Sequence, residues 1–237
     1  MTRALLLAAM ATLCCVAGPA VAQDVAIDFG DQSSLTTRTV QLIALLTVLS
    51  LAPGIAITVT CFPFIVTVLS ILRQAIGLQA SPPNMLIVSL AMFLTYFVME
   101  PVFTEAWIQG LQPLSNGDIA AEDAFVATLE PFRAFMAARV DPETLEHLAS
   151  LRPDAPDGAF SVLVPSFLLS EISRAFQIGF LVFMPFLIID MVAAAVLMSM
   201  GMMMVPPAIV SLPFKLAFFV VVDGWTLVSG ALVRSYI

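Results

Sequence analysis

Residues 198–207, MSMGMMMVPP, decide how the second half of the chain folds. They place five methionines within seven residues and end on a double proline, through which a helix cannot run on unbroken. We therefore expect the chain to turn back near Met202 and Met203. Methionine is unbranched and polarizable, so its side chain packs around irregular shapes. A turn rich in this residue type indicates either ordinary core filling or an adaptable apolar surface.

Two charged residues lie at equal distances from this turn. Asp190 precedes it and Lys215 follows it by twelve or thirteen residues, which is about 19 Å along a helix. On two helices that pack side by side, equal depth predicts an ion pair between Asp190 and Lys215, which would lower the cost of burying both charges. The alternative is that each side chain faces a separate water-filled cavity.

The composition is that of a membrane protein. Of 237 residues, 60% are hydrophobic and 11% are charged, whereas soluble domains carry about a quarter charged residues. Long apolar runs predict an all-α membrane protein. The formal net charge of −8 and the single lysine, Lys215, argue against nucleic acid as a partner, because phosphate binding needs clustered Lys and Arg.

Residues 1–22 are predicted to be a secretory signal peptide. Arg3 supplies the charged start, residues 4–16 supply a short apolar core, and AVA at residues 20–22 is a small-residue cleavage site. The alternative is a retained transmembrane helix, but thirteen apolar residues fall short of the about 20 that a span needs. Cleavage would leave Cys61 as the single cysteine, so no disulfide could form within the mature chain.

An exported polar tail, residues 23–39, is predicted to precede a first hydrophobic helical hairpin in residues 40–102. Within that hairpin, residues 40–72 carry no charge. As one straight helix they would be about 50 Å long, against a hydrocarbon core of about 30 Å. We therefore expect a bend or a break at Pro53 or Pro63.

Residues 103–174 are predicted to form an acidic helical segment outside the cytoplasm. Residues 122–140 carry apolar side chains at helical spacing. DPETLEHL, which begins at Asp141, is typical of a helix start with Asp141 as N-cap and Pro142 in the first turn. Positive charge is biased toward the cytoplasm, so the acidic character favours the periplasmic side for this segment.

Residues 175–237 are predicted to form a second hydrophobic hairpin that contains the methionine turn. Asp190, Lys215 and Asp223 interrupt its apolar sequence, and the preceding apolar run, Met85–Met99, is only about 22 Å long as a helix. Beyond residue 84 we therefore expect no unbroken apolar span of twenty residues. Charges at membrane depth are costly unless they face protein or water, which indicates that other protein covers these helices.

The sequence holds little that points to catalysis. His147 is the only histidine and lies in the acidic segment, and no phosphate-binding loop of the GxxxxGK[ST] type occurs. We therefore expect no enzyme, no metal site and no cofactor. Two alternatives of another class are an intramembrane aspartyl protease using Asp190 and Asp223, and a small ion-coupled transporter using Asp190, Lys215 and Asp223 as a relay.

Three stretches resemble a known family: residues 72–101, 164–207 and 212–225. Within them stand FQIGF, GMMMVPP, and PFK followed by DGW. Together they resemble the flagellar biosynthetic protein FliP family, which is shared with a core component of injectisome-type secretion systems. The similarity extends over residues 51–233 and is weakest in the acidic segment.

The resemblance implies a structural subunit of the flagellar type III protein export gate in the bacterial inner membrane, through which unfolded flagellar proteins pass. It implies a ring of FliP subunits, completed by FliQ and FliR and placed beside FlhA and FlhB. The implied fold is two interrupted hydrophobic helical hairpins, joined by the acidic helical extracytoplasmic segment and assembled as an oligomeric ring. An injectisome export gate is the alternative within the family; the signal peptide and the long exported segment favour the flagellar branch.

The resemblance also implies roles for particular residues. Met202, Met203 and Met204 match the loop that closes the family's pore, so they become the predicted pore gate. Phe135 and Glu171 match positions that the family uses in subunit contacts. The alternatives are local packing for Phe135 and a solvated or capping role for Glu171.

The chain departs from the family pattern at two places. Pro63 and Phe64 stand where the family usually has a Thr-Arg pair. Ser173 stands at the usual Lys site, and the positive charge follows one residue later at Arg174. One residue turns a helix by about 100°, so we expect an altered partner contact there.

Overall fold

The computed structural model describes residues 32–77, 82–156, 158–202 and 204–236, and all regular structure in these ranges is helical. The all-α prediction is confirmed for this part of the chain. The predicted signal peptide, residues 1–22, lies outside the described residues. The helices, in order, are α1 (Gln32–Thr58), α2 (Phe62–Ile76), α3 (Asn84–Ala106), a π-helical turn (Trp107–Leu111), α4 (Gln112–Asn116), α5 (Ala121–Ala137), α6 (Pro142–Ser150), α7 (Phe160–Ser199), α8 (Pro207–Val221) and α9 (Gly224–Arg234).

The chain divides into two compact units, Met1–Ser50 and Leu51–Ile237. In the first unit the described part is helical from Gln32, so the last residues of the predicted polar tail belong to α1. The apolar side chains of α1, such as Leu46 and Leu49, are exposed. From Arg38 to Thr58 the helix has the length and hydropathy of a membrane span.

The break in the long uncharged run lies directly before Pro63. α1 continues through Pro53 and ends at Thr58, and α2 begins at Phe62 with Cys61 as its N-cap residue. Proline is tolerated in the first turn of a helix because the N–H groups there have no intrahelical acceptor. Of the two expected break points, Pro63 is therefore the one that this fold uses.

α3 is longer than the sequence predicted. Helical structure continues from the apolar run past Glu100 to Ala106, and then through the π-helical turn and α4 to Asn116. The expected length of about 22 Å for Met85–Met99 was therefore too short as a helix length. Glu100 and Glu105 are exposed in this structure, so neither carboxylate has to be buried for the helix to run on.

The π-helical turn packs directly on α5. A Cβ atom at Gly110 would lie 2.0 Å from Oγ1 of Thr128, 2.8 Å from the Thr128 backbone nitrogen and 2.9 Å from the carbonyl oxygen of Ala124. Two of these three atoms are backbone and cannot move aside. Only glycine therefore fits at this position, and it fixes the start of α5 against the end of α3.

The acidic segment contains the two helices that the sequence predicted. α5 covers most of the amphipathic stretch, and α6 begins at Pro142 after the N-cap Asp141. Oδ2 of Asp141 accepts hydrogen bonds from the backbone N–H (3.0 Å) and the hydroxyl (2.8 Å) of Thr144. These two bonds hold the pKa of Asp141 below its usual value.

α7 is one continuous helix of 40 residues, about 60 Å long. The expectation that no unbroken apolar span follows residue 84 was wrong. Among the described residues, α1, the Asn84–Asn116 helix and α7 are long and apolar enough to cross a membrane, and α8 with α9, bent by 61°, would make a fourth span. The charges within α7, Glu171, Arg174 and Asp190, have partners in the same chain and so do not end the helix.

The core of the second unit is centred on α2. α3, α7 and α8 all pack against this helix. Its buried side chains follow helical spacing, so one α2 face is apolar along its whole length. They are Phe64, Ile65, Val68, Leu69, Leu72, Ala75 and Ile76.

Candidate functional site

The methionine turn, residues 200–206, is a regular helix stop followed by a regular helix start. At the end of α7, Gly201 adopts a left-handed conformation (φ +74°) and donates to the carbonyl oxygen of Met198 (3.0 Å). The backbone N–H of Met202 donates to the carbonyl oxygen of Leu197 (3.0 Å). This pair of bonds is a Schellman motif, which needs the glycine at this position. Pro206 and Pro207 then begin α8.

The methionines of the turn differ in exposure. Met202 lines one pocket together with Leu197, and it is 43% exposed. These are the two positions at which a Schellman motif usually carries apolar side chains. Met204 is 98% exposed. Met203 lies outside the described residues. Met202 therefore fastens the turn to α7, while Met204 projects freely from it.

The predicted charged pair lies on the two helices that the methionine turn connects, with Asp190 on α7 and Lys215 on α8. Nζ of Lys215 is 2.6 Å from Oδ2 of Asp190 and donates a second hydrogen bond to the carbonyl oxygen of Ala75 (3.1 Å). The hydroxyl of Ser211 donates to Oδ1 of Asp190 (2.5 Å). Lys215 is 5% exposed and Ser211 is buried, so the ammonium lies inside the protein with two protein acceptors.

One groove reaches both members of this pair. It has a volume of about 840 Å³, runs between α2 and α7, and is lined by Asp190 and Lys215 together with polar residues of α2 such as Thr67 and Ser70. Asp190 and Lys215 therefore contact each other within one groove and do not face separate cavities. The partners that the described residues give to the carboxylate of Asp190 are a hydroxyl and an ammonium, whereas an aspartyl protease requires a second carboxylate that shares a proton with the first.

Phe135 and Glu171 lie together near the start of α2, and both contact Tyr236. Glu171 is 0% exposed and accepts a hydrogen bond from the hydroxyl of Tyr236. The ring of Phe135 packs on the rings of Phe167 (5.8 Å between centroids) and Tyr236 (6.2 Å). Their use in subunit contacts stays a prediction, and any contact of Glu171 with a second subunit would require its own chain to move first.

Tyr236 and Arg139, which contact Glu171, and the neighbouring Ser235 were not predicted from the sequence. Nε of Arg139 is 3.6 Å from Oε1 of Glu171. Arg139 lies 32 residues before Glu171 and Tyr236 lies 65 residues after it, and a tyrosine after an apolar helix has no distinguishing pattern. Only the burial of Glu171, a carboxylate within an apolar helix, signals that such partners must exist.

A comparison with known families matches residues 45–232 to the FliP family. The chain belongs to the FliP family. It is 48% identical to the flagellar biosynthetic protein FliP of Caulobacter vibrioides, over 99% of this chain and 91% of that protein. It is 45% identical to the protein of the same name from Agrobacterium fabrum, over 97% of this chain and 98% of that one, and 46% identical to that of Bacillus subtilis, over 84% and 93%.

The two departures from the FliP family pattern fit within this chain's own structure. Pro63 stands in the first turn of α2, and Phe64 is buried in the core beside it. Arg174 turns toward the chain end, where its Nη2 donates to the carbonyl oxygen of Ser235 (3.3 Å). Both departures therefore serve contacts inside the subunit.

Proposed function

We propose that this member of the FliP family is a structural pore subunit of the flagellar type III protein export gate. In this role it passes unfolded flagellar proteins across the inner membrane and carries out no chemical step itself. The observation that carries the proposal is the methionine turn, a rigidly anchored loop that presents a freely exposed methionine, in a chain whose family is named for flagellar biosynthesis.

The seal is made by side chains of the methionine turn. The described residues leave Met204 almost fully exposed, so its side chain can adapt to whatever lies in front of it. Met202, Met203 and Met204 from several identical subunits would together form an apolar collar that excludes water and ions and yields to a passing polypeptide. The Schellman motif keeps the base of the loop fixed while its tip adapts.

The dimensions of α7 support assembly into a ring. At about 60 Å it is twice the thickness of a hydrocarbon core, so a large part of it must lie beyond the lipid. Its apolar side chains are exposed over much of the helix, and such a surface needs lipid or other protein to cover it. Neighbouring subunits supply that cover. The exposed residues are Phe176, Phe180, Leu181, Ile188, Met191, Val192 and Val196.

The neighbours are further FliP subunits, with FliQ and FliR completing the ring and FlhA and FlhB lying next to it at the base of the flagellum. The two interrupted helical hairpins, residues 40–102 and 175–237, form the wall of the channel. The acidic segment of α5 and α6 faces the periplasm, because its negative charge suits that side of the membrane. The half-buried Phe135 contributes to the surface that meets the next subunit, and Glu171 reaches that subunit only when Tyr236 moves aside.

Ion leakage through purified, lipid-reconstituted complexes tests the seal. We expect Met202→Ala/Met203→Ala/Met204→Ala to conduct small ions in the resting state, and Met204→Ala alone to conduct in part. Met85→Ala is the matched control, because Met85 is also largely exposed (79%) but lies at the start of α3. An assembled triple variant as tight as the native complex would remove the sealing role.

A further inference from the structure

The last two described residues, Ser235 and Tyr236, insert between helices that are distant in sequence. The hydroxyl of Tyr236 donates to Oε2 of Glu171 on α7. Its ring meets Phe64 of α2 edge-on at 5.3 Å and stacks on Phe135 of α5 at 6.2 Å, with 15° between the planes. One side chain therefore touches three helices of the second unit.

Two guanidinium groups hold the backbone of the same dipeptide. Nη2 of Arg139 (3.1 Å) and Nη2 of Arg174 (3.3 Å) both donate to the carbonyl oxygen of Ser235. The guanidinium of Arg139 also lies 3.8 Å from the centre of the Tyr236 ring, a cation–π contact. The site thus binds a peptide carbonyl and a phenol side by side, through Arg139 in the turn after α5 and through Glu171 and Arg174 of α7.

The burial of Glu171 depends on the presence of Ser235 and Tyr236 in this site. Nε of Arg139 and Oε1 of Glu171 are 3.6 Å apart, and among the described residues neither atom has a hydrogen-bond partner. In the described part of the chain the Tyr236 hydroxyl is then the one hydrogen-bond donor to the carboxylate, at Oε2, and the Arg139 guanidinium supplies the opposite charge. Burial, with the negative charge of Glu171 next to it, raises the pKa of Tyr236 far above its ordinary value, so the phenol keeps its proton and remains a donor.

We propose that Ser235–Tyr236 is an internal ligand that locks the end of α5 and the start of α6 onto α7. The other end of α5 is already fixed, where Thr128 packs on Gly110. The dipeptide supplies the second fixed point and keeps Phe135 and Glu171 covered. This inference concerns contacts within one subunit and does not depend on the formation of a pore.

Amide hydrogen exchange of the detergent-solubilised full chain tests the lock. The backbone N–H of Asp141 donates to the hydroxyl of Ser170 on α7 (3.0 Å), so its protection reports the docking of this segment. The Tyr236→Phe variant keeps the aromatic ring and loses the hydroxyl that donates to Glu171. We expect exchange at Asp141 to accelerate roughly tenfold to a hundredfold, which is the factor expected from one hydrogen bond to a charged group.

Tyr236→Ala should have a larger effect, and trypsin should then cleave after Arg139, whose side chain is mostly covered in the native chain. Tyr96→Ala is the matched control, because Tyr96 is exposed on α3. Native-like protection of Asp141 in both Tyr236 variants would overturn the proposal. So would equal acceleration along α3, because Tyr236 would then support the whole fold and not one docking contact.

Discussion

Gly179 of α7 lies directly against Ile71 of α2, and a Cβ atom in its place would be 2.4 Å from Cδ1 and 3.3 Å from Cβ of the isoleucine. The close approach brings together the two helices with the most extensive contact in the second unit. It also explains the glycine in the FQIGF motif physically, since any side chain would push α7 away from α2.

Gly179→Ala should therefore destabilise the protein. The end of the Ile71 side chain can turn away, but its Cβ cannot, so the helices must separate. We expect a loss of about 1–3 kcal/mol in the free energy of unfolding, as overpacking of a close contact usually costs. Chemical denaturation in detergent, followed by far-UV circular dichroism, measures it.

Two further variants test whether the contact between position 179 and Ile71 causes the loss of stability. Ile71→Ala in the Gly179→Ala background should recover part of the stability, because it removes Cδ1 and Cγ2 and leaves only the Cβ contact at 3.3 Å. Gly54→Ala is the control, since nothing lies within 4 Å of that position in α1. Equal losses at Gly54 and Gly179 would show that helix propensity, and not the Ile71 contact, governs both.

Replacing one member of the Asp190–Lys215 ion pair should destabilise the protein more, per residue replaced, than replacing both. Lys215→Met leaves the carboxylate with Ser211 as its one donor, and Asp190→Asn leaves a buried ammonium without its counter-charge. We expect each to lower the free energy of unfolding by about 3 kcal/mol, and the double variant to lower it by less than the sum. The same denaturation measurement applies.

A charge swap should restore only part of the loss. A carboxylate at position 215 can pair with an ammonium at position 190, but it cannot donate to the carbonyl oxygen of Ala75 as Lys215 does. Asp190→Lys/Lys215→Asp should therefore be more stable than either single reversal and less stable than the native chain. No recovery at all would argue that the two side chains act separately.

The thiol of Cys61 should be nearly inert in the folded protein. Burial raises its pKa from 9.0 to about 12. A higher pKa means less thiolate at a given pH, so at pH 8 the reactive fraction falls by about a thousandfold. In a Cys14→Ser/Cys15→Ser background, maleimide should label the native chain slowly and the denatured chain at once. Ser115→Cys, an exposed site in α4, is the control, and equal labelling rates in the native state would contradict the prediction.

The start of α6 should loosen in acid. The hydrogen bonds from Thr144 lower the pKa of Asp141 below 3.8, so the charged cap stabilises the helix above that pH and its contribution is lost as the pH falls through the lowered pKa. Asp141→Ala should speed amide exchange at Thr144 several-fold at neutral pH, and the difference from the native chain should vanish in acid. Asp141→Ser, which keeps a cap acceptor, should stay close to native.

The sequence predicted those features whose physical cause is local. The cap at Asp141, the amphipathic α5 and the break before Pro63 each follow from neighbouring residues, and each is present. The equal spacing of Asp190 and Lys215 about the methionine turn reflects a simple helical rise, and the structure puts the two side chains in contact.

The features that escaped prediction depend on residues far apart in the chain. The partner of Glu171 in α7 is Tyr236, 65 residues later, and no local pattern records that contact. The close contact of Gly110 in the π-helical turn is likewise with Thr128 on another helix. Both α3 and α7 run past charged residues, so the length of an uncharged run does not give the helix end.

The continuity of α7 has a mechanical consequence. Glu171 and Asp190 are nineteen residues apart on one rod, about 28 Å. A hydrogen-bonded helix is stiff along its axis. A tilt of α7 near Glu171 and Tyr236 would therefore displace the methionine turn at the other end of the helix. Pro185 lies between Glu171 and Asp190 and is the one proline along that stretch. It removes a backbone hydrogen bond, so α7 bends most easily there.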